Sequence, residues 1–232
     1  MSHTSPPAPT LLLLSGAGLP AWIWDETRAA LGSHRPGVVG PRPRGSASLE
    51  DHARAVLDLA AEGDLALVAH SAGAVVAHEV ARLAPGRVRS VLLVSGVVPP
   101  SEGSFVSAMP APQRYVLPLV LRLAGTRPPA SAVRKGLAAG LDPEVQDRLV
   151  AEMEPESRAY FTDPVGAGGL PRRVGYVTTT RDRELTPALQ ARFADRSGAA
   201  WRRDLASGHL PMLEAPEALA SLVDEFSVGH LD

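Results

Sequence analysis

Ser71 stands in a sequence context that can hold a serine hydroxyl ready for nucleophilic attack. The apolar run Leu65–Val68 leads into Ala69-His70-Ser71-Ala72-Gly73, and a helical pattern begins directly afterwards. A serine on such a sharp strand-to-helix turn projects above the sheet, and the residues two before and two after it must be small because two backbones pass close together. Gly73 meets this requirement, and Ala69 is the smallest alternative to glycine. The alternative interpretation is that the serine only caps the helix.

The surrounding elements must position this serine, and their pattern predicts a parallel sheet. From residue 11 to about 98, and again after about 170, short apolar runs alternate with amphipathic stretches. This rhythm is typical of an α/β fold with a mostly parallel sheet, here of about six strands, and helices on both faces. The predicted strands are Leu11–Leu14, Val38–Val39, Leu65–Val68, Val88–Val94, Val174–Thr178 and Ala200–Leu205. The predicted core helices are Ala21–Leu31, a helix capped by Ser48 with Asp51 three residues on and ending near Ala61, Ala72–Leu83, Pro187–Asp195 and Pro216–Phe226.

Residues 99–169 break this rhythm and predict a helical cap. Three helical stretches, Gln113–Ala124, Ser131–Leu141 and Pro143–Met153, are joined there by segments rich in proline and glycine, without a convincing strand. We therefore expect residues 1–232 to form a single domain. Its core would comprise residues 11–98 and 170–228, with the cap of residues 99–169 inserted over one edge of the sheet.

Taken together, these features resemble the α/β-hydrolase superfamily. Two motifs carry the resemblance: the Ser71 turn, and the segment Ser15-Gly-Ala-Gly-Leu-Pro-Ala-Trp-Ile-Trp24 after the first strand. The chain looks most like the small-cap branch of plant hydroxynitrile lyases, methylesterases and related bacterial esterases, over Leu11 to Phe226. The resemblance implies an α/β-hydrolase fold without the first two strands of the family.

The resemblance assigns the catalytic base to His209. A base is needed because a serine hydroxyl is a weak nucleophile until its proton is removed. His209 lies between the last predicted strand and helix, in a loop that closely matches the catalytic-histidine loop of the family. His70 and His78 share the turn and helix of Ser71 and cannot easily face it. The other four histidines lie in tails, loops or polar helix ends: His3, His34, His52 and His230.

Asp182 is the carboxylate expected to orient the imidazole. It follows the penultimate strand, where the family keeps its acid, and gives the chain order Ser71, Asp182, His209 that this fold requires. The competing interpretation is a turn residue paired with the arginines on either side of it. Glu184 in the same loop and Glu102 after the preceding strand are reserve candidates.

Two backbone N–H groups are expected to form the oxyanion hole for the charge that develops on a substrate carbonyl oxygen. One belongs to Ala72, at a helix N-terminus whose dipole helps, and the other to Ala17. Small residues on both sides of Ala17 allow that backbone to turn inward. Ser15 stands where the family usually has histidine, and its shorter side chain cannot reach the same partners. The competing interpretation of this segment is a plain glycine-rich turn.

Further residues near these motifs are expected to line the substrate pocket. For Trp22 and the cap residues, packing of a helix against the core is the alternative interpretation. The cap stretch 115–124 is almost wholly apolar and is expected to bury most of its surface, partly on the core and partly over the active site. The candidate pocket residues are Ser15, Gly16, Trp22, His70, Tyr115, Leu117, Leu121 and Leu210.

Composition argues against other classes of protein. A net charge of −2 offers no basic field for nucleic acid or an anionic membrane surface. The chain has no cysteine, which removes disulfides, thiolate metal sites and a cysteine nucleophile. The histidines are scattered without metal-ligand spacing, so no metal or organic cofactor is expected. Met1–Thr10 has no lysine or arginine to start a signal peptide, so the protein is expected to be cytoplasmic and without a membrane partner.

These observations predict a serine hydrolase that cleaves small-to-medium uncharged carboxylic esters through an acyl-enzyme. A lactone or thioester hydrolase of secondary metabolism is the alternative that keeps the same chemistry. A hydroxynitrile lyase is disfavoured, because Gly16 and Leu210 occupy positions where the plant lyases carry threonine and lysine. A ligand-binding protein without catalysis is disfavoured by the complete serine, histidine and aspartate set.

Overall fold

The computed structural model describes residues 8–33, 35–60 and 62–228, so His3, His34, Ala61 and His230 lie outside the described residues. The described residues contain one sheet of six strands, in the order β2-β1-β3-β4-β5-β6. All of its strand pairs are parallel, so the predicted parallel α/β sheet is confirmed. The strands are β1 (Thr10–Leu14), β2 (Gly37–Val39), β3 (Leu65–His70), β4 (Val88–Val94), β5 (Arg173–Thr179) and β6 (Trp201–Leu205).

Helices cover both faces of this sheet because successive side chains of each strand point to opposite sides. In β1, Leu12 and Leu14 join the buried cluster on one face, and Leu11 and Leu13 join the cluster on the other. The helices of the first face are α2 (Leu49–Leu59), α3 (Gly73–Leu83) and α9 (Pro187–Ser197). Those of the second face are α1 (Asp25–Leu31) and α11 (Pro216–Val228).

The start of α2 follows its sequence signal closely. The Ser48 hydroxyl accepts a hydrogen bond from the Asp51 N–H at 3.1 Å, and the Asp51 carboxylate accepts one from the Ser48 N–H at 2.8 Å. This reciprocal capping satisfies two N–H groups that a helix N-terminus would otherwise leave unpaired. The same helix buries His52, which is 2% exposed, so the expectation that His52 lies at a polar helix end is wrong for its side chain.

The segment between β4 and β5 is helical, and residues 95–172 contain no strand. The predicted helix Ser131–Leu141 is interrupted, because the short helix Ala130–Ala132 runs directly into a π-helical turn, Val133–Leu137. Glycines lower the helical preference of this stretch, and Gly140 has a φ of +95°. The helices of the segment are α4 (Phe105–Ala108), α5 (Gln113–Leu123), α6 (Ala130–Ala132), α7 (Pro143–Glu152) and α8 (Arg158–Thr162).

Helix α5 does not bury the apolar surface that its sequence led us to expect. Leu121 is the one residue of this helix that is fully buried, and Leu117 is half-buried against the same core cluster. Five large apolar side chains are exposed by 45% or more: Tyr115, Val116, Leu119, Val120 and Leu123. The expectation that most of this surface would be covered is therefore wrong. Within the described residues, none of the helices is long and apolar enough to span a membrane.

Candidate active site

The turn at Ser71 joins β3 to α3 and holds its backbone in a strained conformation. Ser71 has a φ of +51°, a region that residues other than glycine seldom occupy. Ala72 is the N-cap residue of α3, and no side chain forms a capping hydrogen bond there. Ser71 therefore does not serve as the helix cap. Position 73 has no room for a side chain, because a Cβ there would lie 2.6 Å from the Ser15 carbonyl oxygen.

Ser71, His209 and Asp182 come together at the carboxyl edge of the sheet. His209 Nε2 lies 3.0 Å from Ser71 Oγ, and His209 Nδ1 lies 2.7 Å from Asp182 Oδ2. The three residues come from three connections: β3 to α3, β5 to α9, and β6 to α10 (Pro211–Glu214). His209 and Asp182 are 3% and 5% exposed. This geometry lets the imidazole take the serine proton while the carboxylate holds the ring.

Asp182 is held by its own loop. One carboxylate oxygen accepts hydrogen bonds from the backbone N–H groups of Glu184 and Leu185, at 2.8 and 2.9 Å. The oxygen that faces His209 also accepts bonds from the Thr179 hydroxyl at 2.9 Å and Gln190 Nε2 at 3.2 Å. Burial opposes ionisation of Asp182, but the interactions with His209, Leu185 and Thr179 outweigh it and lower its pKa. Asp182 is therefore ionised at neutral pH.

The two reserve carboxylates do not contact His209 through a hydrogen bond in the described structure. Glu102 is exposed on a turn after β4, with a φ of +53°. The Glu184 carboxylate reaches the cap, where it occupies the space that a Cβ on Gly136 would need. Burial raises the pKa of Glu184, although the charge of His209 acts in the opposite direction.

His70 lies beneath His209, where it cannot line an accessible pocket. It is 0% exposed, its Nε2 lies 2.8 Å from the His209 carbonyl oxygen, and the two ring centroids are 4.8 Å apart. Burial, assisted by His209, lowers the pKa of His70 to about 3. The ring is therefore neutral, and its Nε2 must carry the proton that it donates to the carbonyl. Sequence reasoning placed His70 in the pocket; its contacts instead support the backbone of His209.

The loop after β1, which carries Ala17, passes beside Ser71. A Cβ on Gly16 would lie 3.0 Å from the Ser71 Cβ, so the loop backbone passes directly beside the serine. Ala72 lies at the N-terminus of α3, where the helix dipole favours negative charge. Among the described residues, the backbone N–H groups of Ala17 and Ala72 have no hydrogen-bond acceptor. They are the expected donors for an oxyanion.

Ser15 has a partner of its own in this loop. Its hydroxyl accepts a hydrogen bond from the Trp24 indole N–H at 2.9 Å, which fixes the start of the loop to the helical turn that follows it, Ala21–Trp24. The Leu19 N–H closes the loop onto the Gly16 carbonyl oxygen at 3.3 Å. The Ser15 side chain therefore forms a hydrogen bond with Trp24 that was not predicted from the sequence.

Several predicted pocket residues instead pack within the protein or face solvent. Leu121 and Leu210 are buried in separate core clusters, and neither is available to a substrate without movement. Trp22 packs against the cap, with the Arg148 guanidinium 3.9 Å from its ring centroid. Tyr115 is 68% exposed, and its hydroxyl accepts a hydrogen bond from Arg114. For these residues the packing or surface interpretation fits better than the pocket interpretation.

A cleft of about 900 Å³ lies next to the Ala17 loop, and its lining does not include Ser71, His209 or Asp182. Its lining includes Leu19, Arg42 and Met153. Among the described residues, no group of three or more histidine, aspartate or glutamate side chains could hold a metal ion.

Comparison with protein families decides where this arrangement belongs. Residues 11–222 match the model of the alpha/beta hydrolase family, a range that covers most of the chain and includes Ser71, Asp182 and His209. This chain belongs to the alpha/beta hydrolase family. The resemblance seen in the sequence is therefore confirmed at the level of the superfamily. A search of curated proteins finds no match to this hydrolase.

Solved structures show the same fold. An extracellular α/β-hydrolase from a Paenibacillus species, described as sharing homology with tobacco salicylic acid binding protein 2, is 17% identical, with a TM-score of 0.79 over 95% of this hydrolase and 100% of that chain. A pyrethroid hydrolase from Sphingobium faniae is 21% identical, with a TM-score of 0.77 over 95% and 98%. Polyneuridine aldehyde esterase is 16% identical, with a TM-score of 0.70 over 95% and 100%. At these identities the likeness concerns the fold.

Proposed function

We propose that this hydrolase cleaves small-to-medium uncharged carboxylic esters through an acyl-enzyme on Ser71. The observation that carries the proposal is the pair of contacts at 3.0 and 2.7 Å that joins Ser71 to His209 and His209 to Asp182. This is the arrangement in which a serine hydroxyl can be activated at neutral pH without a metal or cofactor. Membership of a hydrolase family supports the same chemistry.

In the acylation step, Ser71 Oγ attacks the ester carbonyl carbon as its proton passes to His209 Nε2. Asp182 stays ionised; it orients the ring and stabilises the imidazolium through the bond to Nδ1. The N–H groups of Ala17 and Ala72 stabilise the negative charge on the carbonyl oxygen. His209 then gives its proton to the leaving alcohol, and the carbon–oxygen bond breaks to leave the acyl-enzyme.

In deacylation, water takes the place of the alcohol. His209 removes a proton from the water as its oxygen attacks the acyl carbonyl, and it returns the proton to Ser71 Oγ as the carboxylic acid departs. The same two backbone N–H groups stabilise the second oxyanion.

The test combines a panel of p-nitrophenyl esters with the Ser71→Ala variant. We expect kcat/KM to be highest among the acetate, butyrate and octanoate esters, and Ser71→Ala to lower the rate by about 10⁴-fold or more. Ser95→Ala is a matched control. Ser95 also has a positive φ, of +41°, and follows the neighbouring strand β4, but its buried hydroxyl has no partner among the described residues.

Ser95→Ala should keep kcat within about twofold of the parent, since no mechanism for a large effect applies to it. Retention of more than a tenth of the activity by Ser71→Ala would overturn the serine mechanism. Highest kcat/KM for the palmitate ester would refute the proposed acyl size. Turnover of lactones or thioesters far above that of all the esters would favour the alternative substrate class.

A further inference from the structure

In the loop that carries Ala17, the next residue, Gly18, is hydrogen-bonded to the cap through both its N–H and its carbonyl oxygen. The Gly18 N–H donates to Glu156 Oε1 at 3.2 Å, and the Gly18 carbonyl oxygen accepts from the Glu154 N–H at 3.1 Å. Both partners lie between α7 and α8, so they belong to the part of the cap that returns to the core. Gly18 has a φ of +73°, and a Cβ there would lie 2.8 Å from the Glu154 carbonyl oxygen.

The Glu156 side chain is a buried carboxylate. It is 4% exposed, forms an ion pair with the Arg42 guanidinium, and lies 3.9 Å from His52 Nε2. Removing a carboxylate from water is costly unless it is paired and hydrogen-bonded. Arg42 supplies the opposite charge and also donates to the Leu19 carbonyl oxygen. Glu156 and Arg42 together therefore hold two consecutive residues of the loop.

The backbone that presents Glu156 is itself fixed on both sides. The Glu156 carbonyl oxygen accepts a hydrogen bond from the Thr126 hydroxyl at 2.6 Å, which ties it to the segment after α5. The adjacent Ser157 hydroxyl donates to the Ala47 carbonyl oxygen, in the loop before α2. The carboxylate is thus held in place by both the cap and the core, and among the described residues of the Ala17 loop it accepts the N–H of Gly18.

We propose that Glu156 is a positioning residue for the oxyanion hole. Its carboxylate, paired with Arg42, fixes Gly18 and so aims the preceding N–H, that of Ala17, at the substrate carbonyl oxygen. This inference rests on the proposed function, because it gives Ala17 an oxyanion to bind. It also means that the return segment of the cap, through residues 154–156, sets the geometry of the catalytic centre.

A misplaced oxyanion donor reduces stabilisation of the transition state more than it reduces binding of the ester, because the full negative charge develops only in the transition state. Loss of Glu156 should therefore lower kcat and leave KM nearly unchanged. The affinity of a trifluoromethyl ketone, whose adduct with Ser71 carries an oxyanion, should fall by the same factor as kcat/KM. A purely structural defect would instead lower the amount of active enzyme and leave that affinity unchanged.

The experiment compares Glu156→Gln and Glu156→Ala with the parent enzyme. The glutamine keeps an acceptor for Gly18 but removes the charge that pairs with Arg42, so we expect kcat to fall about tenfold in Glu156→Gln and about 100-fold in Glu156→Ala, with KM within twofold. Glu152→Gln is the matched control. Glu152 lies four residues earlier in the chain, and its carboxylate pairs with Arg148 on the exposed side of α7. It should keep the parent kcat.

Two readouts separate failure of this inference from failure of the proposed function. Labelling of the parent with a fluorophosphonate, followed by peptide mass analysis, should modify Ser71; an unmodified Ser71 would overturn both proposals. With Ser71 labelled, parent values of kcat and ketone affinity in Glu156→Gln would overturn the role of Glu156 alone. Amide hydrogen exchange in residues 16–19 should rise in Glu156→Gln and not in Glu152→Gln; unchanged exchange would also overturn it.

Discussion

The loop that carries Asp182 and the loop that carries Ala17 are both short connections at the carboxyl edge of the sheet, yet they are held in different ways. Apart from its bond to His209, Asp182 takes its side-chain hydrogen bonds from residues 179–190, which form the end of β5, the connection itself and the first turn of α9. The Ala17 loop depends on Glu156, which is 138 residues from Gly18 in the chain. One half of the candidate site is locally determined, and the other depends on the cap.

This difference explains which parts of the site could be predicted from the sequence. The turn at Ser71 is encoded by a short local pattern, because a strand end, a small residue and a helix start lie next to each other in the chain. Asp182 was predicted from the end of a strand together with the family resemblance. The parallel sheet follows from the same local rhythm. The bond between Gly18 and Glu156 has no such pattern, since it joins a glycine-rich loop to a carboxylate that reads as an ordinary surface residue.

The cap residues were predicted least well, and for a physical reason. An apolar helix such as α5 indicates that something should cover it, but the sequence does not say which side chains the core will reach. In the structure the contact is narrow, through Leu121 and Leu117, and the rest of the helix is exposed. His70 was misplaced for a related reason: its burial depends on where the His209 loop returns, far along the chain.

The largest expected effect is on the locally determined half. In Asp182→Asn the new amide cannot hold the tautomer of His209 that accepts the serine proton, so kcat should fall by about 10⁴-fold. KM for p-nitrophenyl butyrate should stay within a few-fold of the parent value. Asp195→Asn is the control, because Asp195 pairs with Arg202 on the surface. A loss of less than tenfold in Asp182→Asn would show that another carboxylate, such as Glu184, orients His209.

An intermediate effect is expected at His70, which lies between the His209 backbone and the Ala17 loop. Its Nε2 contacts the His209 carbonyl oxygen, and its Nδ1 lies 3.0 Å from the position of a Cβ on Gly16. Its pKa is lowered to about 3 in the folded protein, so between about pH 3 and 6.5 the unfolded chain binds a proton that the folded chain does not. The stability that this group contributes is therefore present above pH 6.5 and is lost as the pH falls towards 3.

Urea unfolding at pH 7.0 and 4.5 measures this contribution directly. The parent should lose about 2.5 kcal/mol more unfolding free energy over this interval than His70→Gln, which has no titrating group at the position. Burial also lowers the pKa of His52 and His78. Because the parent and His70→Gln both contain these two histidines, their contribution to the pH dependence of stability cancels in the comparison. An equal loss in the two proteins would mean that His70 is not held neutral by the fold.

The smallest effect is expected on the exposed face of α5, and it tests which part of the cap the catalytic centre needs. If the cap acts through residues 154–156, Leu119→Ser should leave kcat and KM unchanged and alter the unfolding free energy by less than about 0.5 kcal/mol, because Leu119 is 56% exposed. Leu121→Ala, on the buried face of the same helix, should cost about 2–4 kcal/mol through the cavity that it leaves.

The two variants together decide between two roles for the cap. A helix that roofs bound substrate would lose apolar contact in Leu119→Ser, and KM for the octanoate ester would rise by about fourfold per methylene lost from the contact, while KM for the acetate ester would stay the same. A helix that only joins the core to the return segment would show no such dependence on chain length. If the parent and both variants have equal KM values for the octanoate ester, helix α5 does not roof the substrate. Catalysis then depends on the cap through its return segment, residues 154–156.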